Sequence, residues 1–319
     1  MRATASAPGK VILFGEHFVV KDQPAIAVAV SLRAYVTATL LKEKTIRVYS
    51  RNLALSREYT LPPADDKNPL YPVAHAAFTV LNKLGAYHGI SIEIDSEIPP
   101  SAGMGSSAAV SVATIAATAK AMGEDLRLEE ISRMAYEAER IVHGRPSGID
   151  NTIATYGGAI AYRKSEGFLR LNVDFKDVSL ILADTGKPRS TGLLVKRVLD
   201  LYDAFPSVLE PIYYAAGRLA VEAAKMMERG DWEAVGALMN VNHGLLSAIG
   251  VSTIELEQIV YAAREAGALG AKLTGAGGGG YAVILCKRDH EGKIIEELRK
   301  VSPRLLKLNV ENTGVSTSL

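Results

Sequence analysis

Cysteine is almost missing: Cys286 is the only one in 319 residues. An intrachain disulfide and any Cys-rich metal site are therefore excluded. Cys286 lies in the apolar run Tyr281–Cys286 and reads as a small buried hydrophobe. An excess of one charge is missing too. Lys and Arg number 36 against 35 Asp and Glu, a net +1, so no long-range field draws the chain to nucleic acid or an anionic membrane. Any basic site must be local. No apolar run approaches the roughly 18 residues needed to span a bilayer. The longest candidate, about Ser107 to Met122, carries several Ser and Thr and Lys120. The first apolar stretch, Val11–Phe14, is too short for a signal peptide, so a cytoplasmic protein is expected, with neither nucleic acid nor membrane as partner. The six histidines show no His-Glu-x-x-His spacing, and there is no Gly-x-Ser-x-Gly elbow.

What is present is a globular composition, 48% hydrophobic and 22% charged, in a chain long enough for two cores. Short apolar runs at Lys10–Phe14 and Ala25–Val30, and strand-like stretches at Ala34–Leu40, Ile46–Tyr49 and Ile90–Ile94, alternate with helical patterns. The helical patterns cover Val73–Leu84, Ser107–Met122 and Leu128–His143. After Tyr162 the spacing predicts a strand at Val178–Ala183, a long helical tract from Thr191 to about Leu246, a helix at Thr253–Glu265 and a strand from Tyr281. A division into residues 1–177 and 178–319 is expected.

Four segments concentrate reactive and loop-forming residues. In Ala7–His17, Lys10 opens a strand while Glu16 and His17 follow Gly15 at its far end. In Pro100–Ala108, glycines and serines stand directly before an Ala-rich helix. Exposed amides at a helix N-terminus favour an anion, so the loop suits a phosphate cradle, although a simple turn and cap would look similar. It lacks the Gly-Lys-Ser/Thr ending of the usual P-loop. In Glu139–Asn151, the helical stripe of Leu128, Ile131, Ala135, Ala138 and Val142 leaves Glu139 only about 60° from its centre. A carboxylate there needs either a metal or a salt bridge. Asp150 follows a glycine turn and reads as a base or as a cap. In Lys272–Gly280, four consecutive glycines cost much chain entropy for a mere hairpin turn. A phosphate loop, a hydroxyl and carboxylate pair for Mg²⁺, an Asp and a Lys are the parts that phosphoryl transfer needs.

PGKVILFGEH at Pro8–His17, PPSAGMGSSA at Pro99–Ala108 and KLTGAGGGG at Lys272–Gly280 stand in an order that resembles the GHMP small-molecule kinases. HGRPSGIDN at His143–Asn151 and KPRSTGLLV at Lys187–Val195 are similar to the branch of that family that phosphorylates mevalonate. Phosphomevalonate phosphorylation, or a nucleotide-binding sensor that no longer turns over, are the alternatives. The resemblance implies an α+β fold of two domains: a ribosomal S5 domain 2-like N-terminal domain holding ATP, and a ferredoxin-like C-terminal domain closing over it. It implies that Asp150 is the catalytic base with Lys10 beside it. Ser107 and Glu139 would hold Mg²⁺. Gly103, Met104, Gly105, Ser106, Ser107 and Ala108 would cradle the ATP phosphates, with Thr274, Gly275 and Gly277 closing from the second domain. Glu16, His17, Arg189 and Thr191 would face mevalonate, and a homodimer is expected. Met104 replaces a common leucine at nearly constant volume, and Gly192 stands where many relatives have lysine.

Overall fold

Strands β1 (Arg2–Phe14) and β2 (Ala25–Leu41) are much longer than the apolar runs that announce them. The two runs expected at Ala25–Val30 and Ala34–Leu40 are one strand, because β2 changes neighbours in its middle. Its first residues pair with Ala159–Tyr162 and its later ones with Gly89–Ser96. Arg33 is buried at this changeover and donates to Ser6 Oγ and to the carbonyls of Ser6, Thr313 and Gly314. The computed structural model describes residues 1–86, 88–99, 103–143, 146–187 and 191–318.

Strands β3 (Thr45–Ser50) and β4 (Leu55–Thr60) form a hairpin, helix α1 (Tyr71–Lys83) crosses over, and β5 (Gly89–Ser96) returns parallel to β3. Helix α2 (Ser106–Ala121) packs against β1 and β2 on one side and against α1 and helix α3 (Leu128–His143) on the other. Its alanines explain why it is buried nearly all round: a thin helix fits between layers where larger side chains would not. On α3, Ile131, Ala135 and Ala138 are buried as expected, but Leu128 is 41% exposed. As the helix's first residue it extends past the edge of the core, and Met134 takes a place in the stripe instead. Helix α4 (Ile149–Tyr156) and the hairpin β6 (Ala159–Arg163) and β7 (Gly167–Leu171) complete this half.

Strand β8 (Val178–Asp184) opens a second sheet. The helical tract expected from Thr191 to Leu246 is divided into α5 (Thr191–Ala204), α6 (Pro206–Arg229) and α7 (Trp232–Ala248). Pro206 starts α6. Gly230 ends it with φ 70°, and Asp231 caps α7 by accepting from the Ala234 amide at 3.1 Å. Helix α8 (Ile254–Glu265) leads to β9 (Gly270–Thr274), β10 (Tyr281–Lys287), helix α9 (Glu291–Leu298) and β11 (Leu305–Leu308). These strands form an antiparallel sheet of order β11-β8-β10-β9, with Cys286 buried in β10. The chain then crosses back: β12 (Ser316–Ser318) pairs with β1, at the edge of the first sheet, whose order is β12-β1-β2-β5-β3-β4 with β6 and β7 off β2. The expected division after residue 177 falls between β7 and β8, but the final segment rejoins the first sheet. Among the described residues no helix is long and apolar enough to cross a membrane.

Candidate active site

A shift in the β1–β2 register between Pro8 and Gly9 decides where Lys10 goes. A bulge re-aims the residue that follows it. The Lys10 amide donates to the Met104 carbonyl at 2.9 Å, which moors the glycine loop to β1. Glycine leaves room for that contact, since a Cβ on Gly9 would lie a tight 3.2 Å from the same carbonyl. The Lys10 side chain is buried, and its Nζ lies 3.1 Å from Asp150 Oδ1. Gly105, with φ 71°, sits directly over this pair. A Cβ there would be 3.1 Å from Lys10 Cγ and 3.8 Å from Asp150 Cγ. The loop apex, the lysine and the aspartate therefore line one small space.

Asp150 is in the first turn of α4 and makes no capping bond; Gly148, with φ 90°, occupies the cap position. Its neighbour Asn151 donates to Ser132 O and Oγ, both at 3.0 Å, which fixes α4 to α3. That joint brings Glu139 beside Asp150 and Lys10. Glu139 is 3% exposed and makes no ion pair or hydrogen bond among the described residues. Burial, reinforced by the Asp150 charge and only partly relieved by Lys10, pushes its carboxyl up to about 8. A buried carboxylate in this condition suits a cation. Ser107 is exposed in the first turn of α2. No cluster of three His, Cys, Asp or Glu exists among the described residues. Mg²⁺ characteristically takes one or two protein ligands and completes its shell with water and substrate phosphates.

The second domain supplies the opposite wall. Lys272 of β9 forms an ion pair with Glu16, and both side chains are essentially inaccessible. Burial pulls the Lys272 pKa down and the Glu16 charge opposes it. Glu16 Oε2 also accepts from Asn242 Nδ2 at 3.4 Å. Both oxygens of the carboxylate are thus engaged across the domain seam. His17 has φ 61° and is the centre of a tight turn, with the Phe18 amide donating to Glu16 O at 2.7 Å. A non-glycine residue held at positive φ costs of order 1–3 kcal/mol and needs its surroundings to hold it. Here His17 Nε2 lies 2.8 Å from the Ala276 carbonyl, inside the second glycine loop. Burial lowers its pKa, which favours the neutral ring, so Nε2–H donates. Thr274 Oγ1 donates to Ile12 O at 3.0 Å. Gly275 and Gly277 have φ of 76° and 73°, and a Cβ on Gly277 would collide with Val251 O.

Lys10, Gly105, Asp150 and Glu139 come together. Glu16 and His17 of the first domain meet Lys272, Asn242 and the second glycine loop across the seam, and Thr274 bonds back to β1. Gly103, Met104, Ser106 and Ala108 lie in the loop and the first turn of α2. Arg189 lies outside the described residues, as do Pro100, Ser101 and Ala102, and only the backbone place of Thr191, at the start of α5, is described. Lys272, Asn242 and His243 also belong to this seam, without a sequence signal of their own. Lys272 opens a motif marked mainly by its glycines, and the two α7 residues stand in an ordinary helical pattern.

The family GHMP kinases N terminal domain matches residues 71–158, and GHMP kinases C terminal matches residues 220–304. A mevalonate kinase of Pyrococcus furiosus is 42% identical over 299 residues, covering 88% of each chain. One from Aeropyrum pernix is 39% identical over 318 residues, covering 98% of this chain and 97% of its own. The crystal structure of L. major mevalonate kinase in complex with R-mevalonate superposes with a TM-score of 0.78 at 32% identity, covering 97% and 96% of the two chains. With both domains matched and relatives of this similarity along nearly the whole length, the chain belongs to the GHMP kinase family.

Proposed function

We propose that this chain transfers the γ-phosphoryl group of ATP to the primary hydroxyl of (R)-mevalonate, giving (R)-5-phosphomevalonate and ADP. The observation that carries the reading is the Lys10–Asp150 pair, at 3.1 Å, under the Gly105 apex of a loop that opens a buried helix. Asp150 accepts the proton of the acceptor hydroxyl as its oxygen bonds to the γ-phosphorus and the bond to the β-phosphate bridging oxygen breaks. Lys10 Nζ stays beside that carboxylate and faces the charge that gathers on the transferred group. Amides from Gly103 to Ala108, before the first intrahelical bond of Ala109 to Gly105, orient the nucleotide phosphates.

Glu139 and Ser107 are the residues that would hold Mg²⁺, which supplies charge neutralisation on the phosphates when bound. The burial of Glu139 beside Asp150 and Lys10 supports this assignment. Residues 1–177 form the nucleotide-holding half, and 178–319 bring Thr274, Gly275 and Gly277 over it. Arg189 and Thr191 are the acceptor-side groups we assign from the motif, with Glu16 and His17 forming the wall of that subsite. A guanidinium at 189 would suit the mevalonate carboxylate through two parallel hydrogen bonds.

A coupled ADP-release assay with mevalonate, phosphomevalonate, galactose and homoserine tests the proposal. Mg²⁺-dependent turnover of about 1–100 s⁻¹ with mevalonate alone is expected. Release of ADP with another acceptor while mevalonate stays inert would overturn it.

A further inference from the structure

The open edge of the second sheet is closed by a helix, and the same helix reaches into the active site. Strand β9 is at the edge of its sheet, so every second amide along it points away from the ladder and needs a partner. Those amides are Ala271 and Leu273. The Ala271 amide donates to Asn240 Oδ1 at 3.0 Å, and the Leu273 amide to His243 Nδ1 at 3.2 Å. Two residues along a strand advance about 6.6 Å and three along a helix about 4.5 Å, and the reach of the two side chains makes up the difference. Because Nδ1 accepts, the neutral ring carries its proton on Nε2, which donates to Glu257 Oε2 of α8 at 3.2 Å. The tautomer is fixed from both sides.

Between those two anchors stands Asn242, with no exposed surface. It donates to Glu16 Oε2, while its own Oδ1 has no partner among the described residues. The bond to Glu16 is therefore what sets the amide. The consecutive residues Asn242 and His243 thus hold opposite sides of one seam. Asn242 holds Glu16 from the first domain, and His243 holds the β9 stretch whose Lys272 clasps Glu16 and whose Thr274 bonds to Ile12.

We infer that Asn242 and His243 are positioning residues for phosphoryl transfer: together they set Glu16 and β9 against each other and so fix the acceptor side of the cleft. Neither touches the reacting atoms. The inference rests on the reading of the site as a kinase cleft whose acceptor side is walled by Glu16 and His17. It predicts an effect that falls more on the acceptor than on the nucleotide: Asn242 and His243 hold Glu16 and β9, whereas the loop before α2 is moored to β1, and β9 reaches the nucleotide only through the loop that follows Thr274.

The test compares steady-state KM values for the two substrates. Wild type is first assayed with the acceptor panel, and the variants then use the acceptor that wild type phosphorylates. An acceptor other than mevalonate would thus count against the substrate assignment alone. Asn242→Asp keeps the size but faces Glu16 with a second carboxylate. The acceptor KM is expected to rise tenfold or more while the ATP KM stays within about twofold. If Asp at that position prevents folding, Asn242→Ala removes the donor without adding charge and is read in the same way. His243→Asn keeps an acceptor for the Leu273 amide and should stay within about threefold of wild type in acceptor KM. His243→Leu, which leaves that amide unpaired, should show the selective rise. A role confined to folding would lower the active fraction and leave both KM values alone. That outcome, or equal losses in His243→Asn and His243→Leu, overturns the inference.

Discussion

Asp150 and Glu139 share one neighbourhood but differ in what surrounds them, and their expected roles follow from that difference. The Asp150 side chain is about one-third exposed and paired with Lys10, a position from which it can meet a hydroxyl in the cleft. Glu139 is buried with its carboxyl pushed up to about 8. Asp150→Asn keeps the volume but removes proton acceptance, so kcat should fall by roughly 10²–10⁴-fold with ATP affinity near normal. Glu139→Gln should instead raise the Mg²⁺ concentration needed for half-maximal rate and leave the fold intact, since it removes a charge that is costly to bury. Single-turnover rates and nucleotide binding, measured on both variants in parallel, separate the two. An Asp150→Asn enzyme with most of its single-turnover rate would make Asp150 a structural residue.

Among the elements, the loop before α2 shows most plainly how a backbone conformation serves the site. A methyl on Gly105 would meet Lys10 Cγ at 3.1 Å, at a residue whose φ is 71°. Both the contact and the left-handed backbone, about 1–2 kcal/mol for an alanine, oppose the change. Gly105→Ala is expected to lower kcat at least tenfold while circular dichroism stays native; an unchanged kcat would show that Lys10 can move aside without loss. Such loops are legible in sequence because glycine, serine and the following helix are contiguous. Lys10, Glu139 and Asp150 were also legible, each inside a local pattern. Element boundaries were less so: the tract from Thr191 to Leu246 keeps one helical period, and only Pro206 and the Gly230–Asp231 pair mark where it breaks. The partnerships of Glu16 with Asn242 and Lys272 were not legible, since they join residues 226 and 256 positions apart. Nothing in a local window records which distant strand edge a histidine or an asparagine will meet.

At the scale of the whole molecule, His17, His75 and His243, among the described residues, have pKa values lowered chiefly by burial. Their folded values lie below the unfolded 6.5, so the folded state binds fewer protons there. The stability they contribute is present above pH 6.5 and is lost as pH falls from there through the folded values. Urea midpoints should therefore drop between pH 7 and pH 5, and His243→Asn should flatten that dependence; an equally steep variant would assign the effect to other groups. The first and last described strands also lie side by side, β12 on β1, with Arg33 clasping the carbonyls of Thr313 and Gly314. Synthesis runs from one to the other. On the ribosome, β1 must wait with one edge bare until residues 316–318 emerge, so the sheet that carries Lys10 is finished only after the whole second domain has been made.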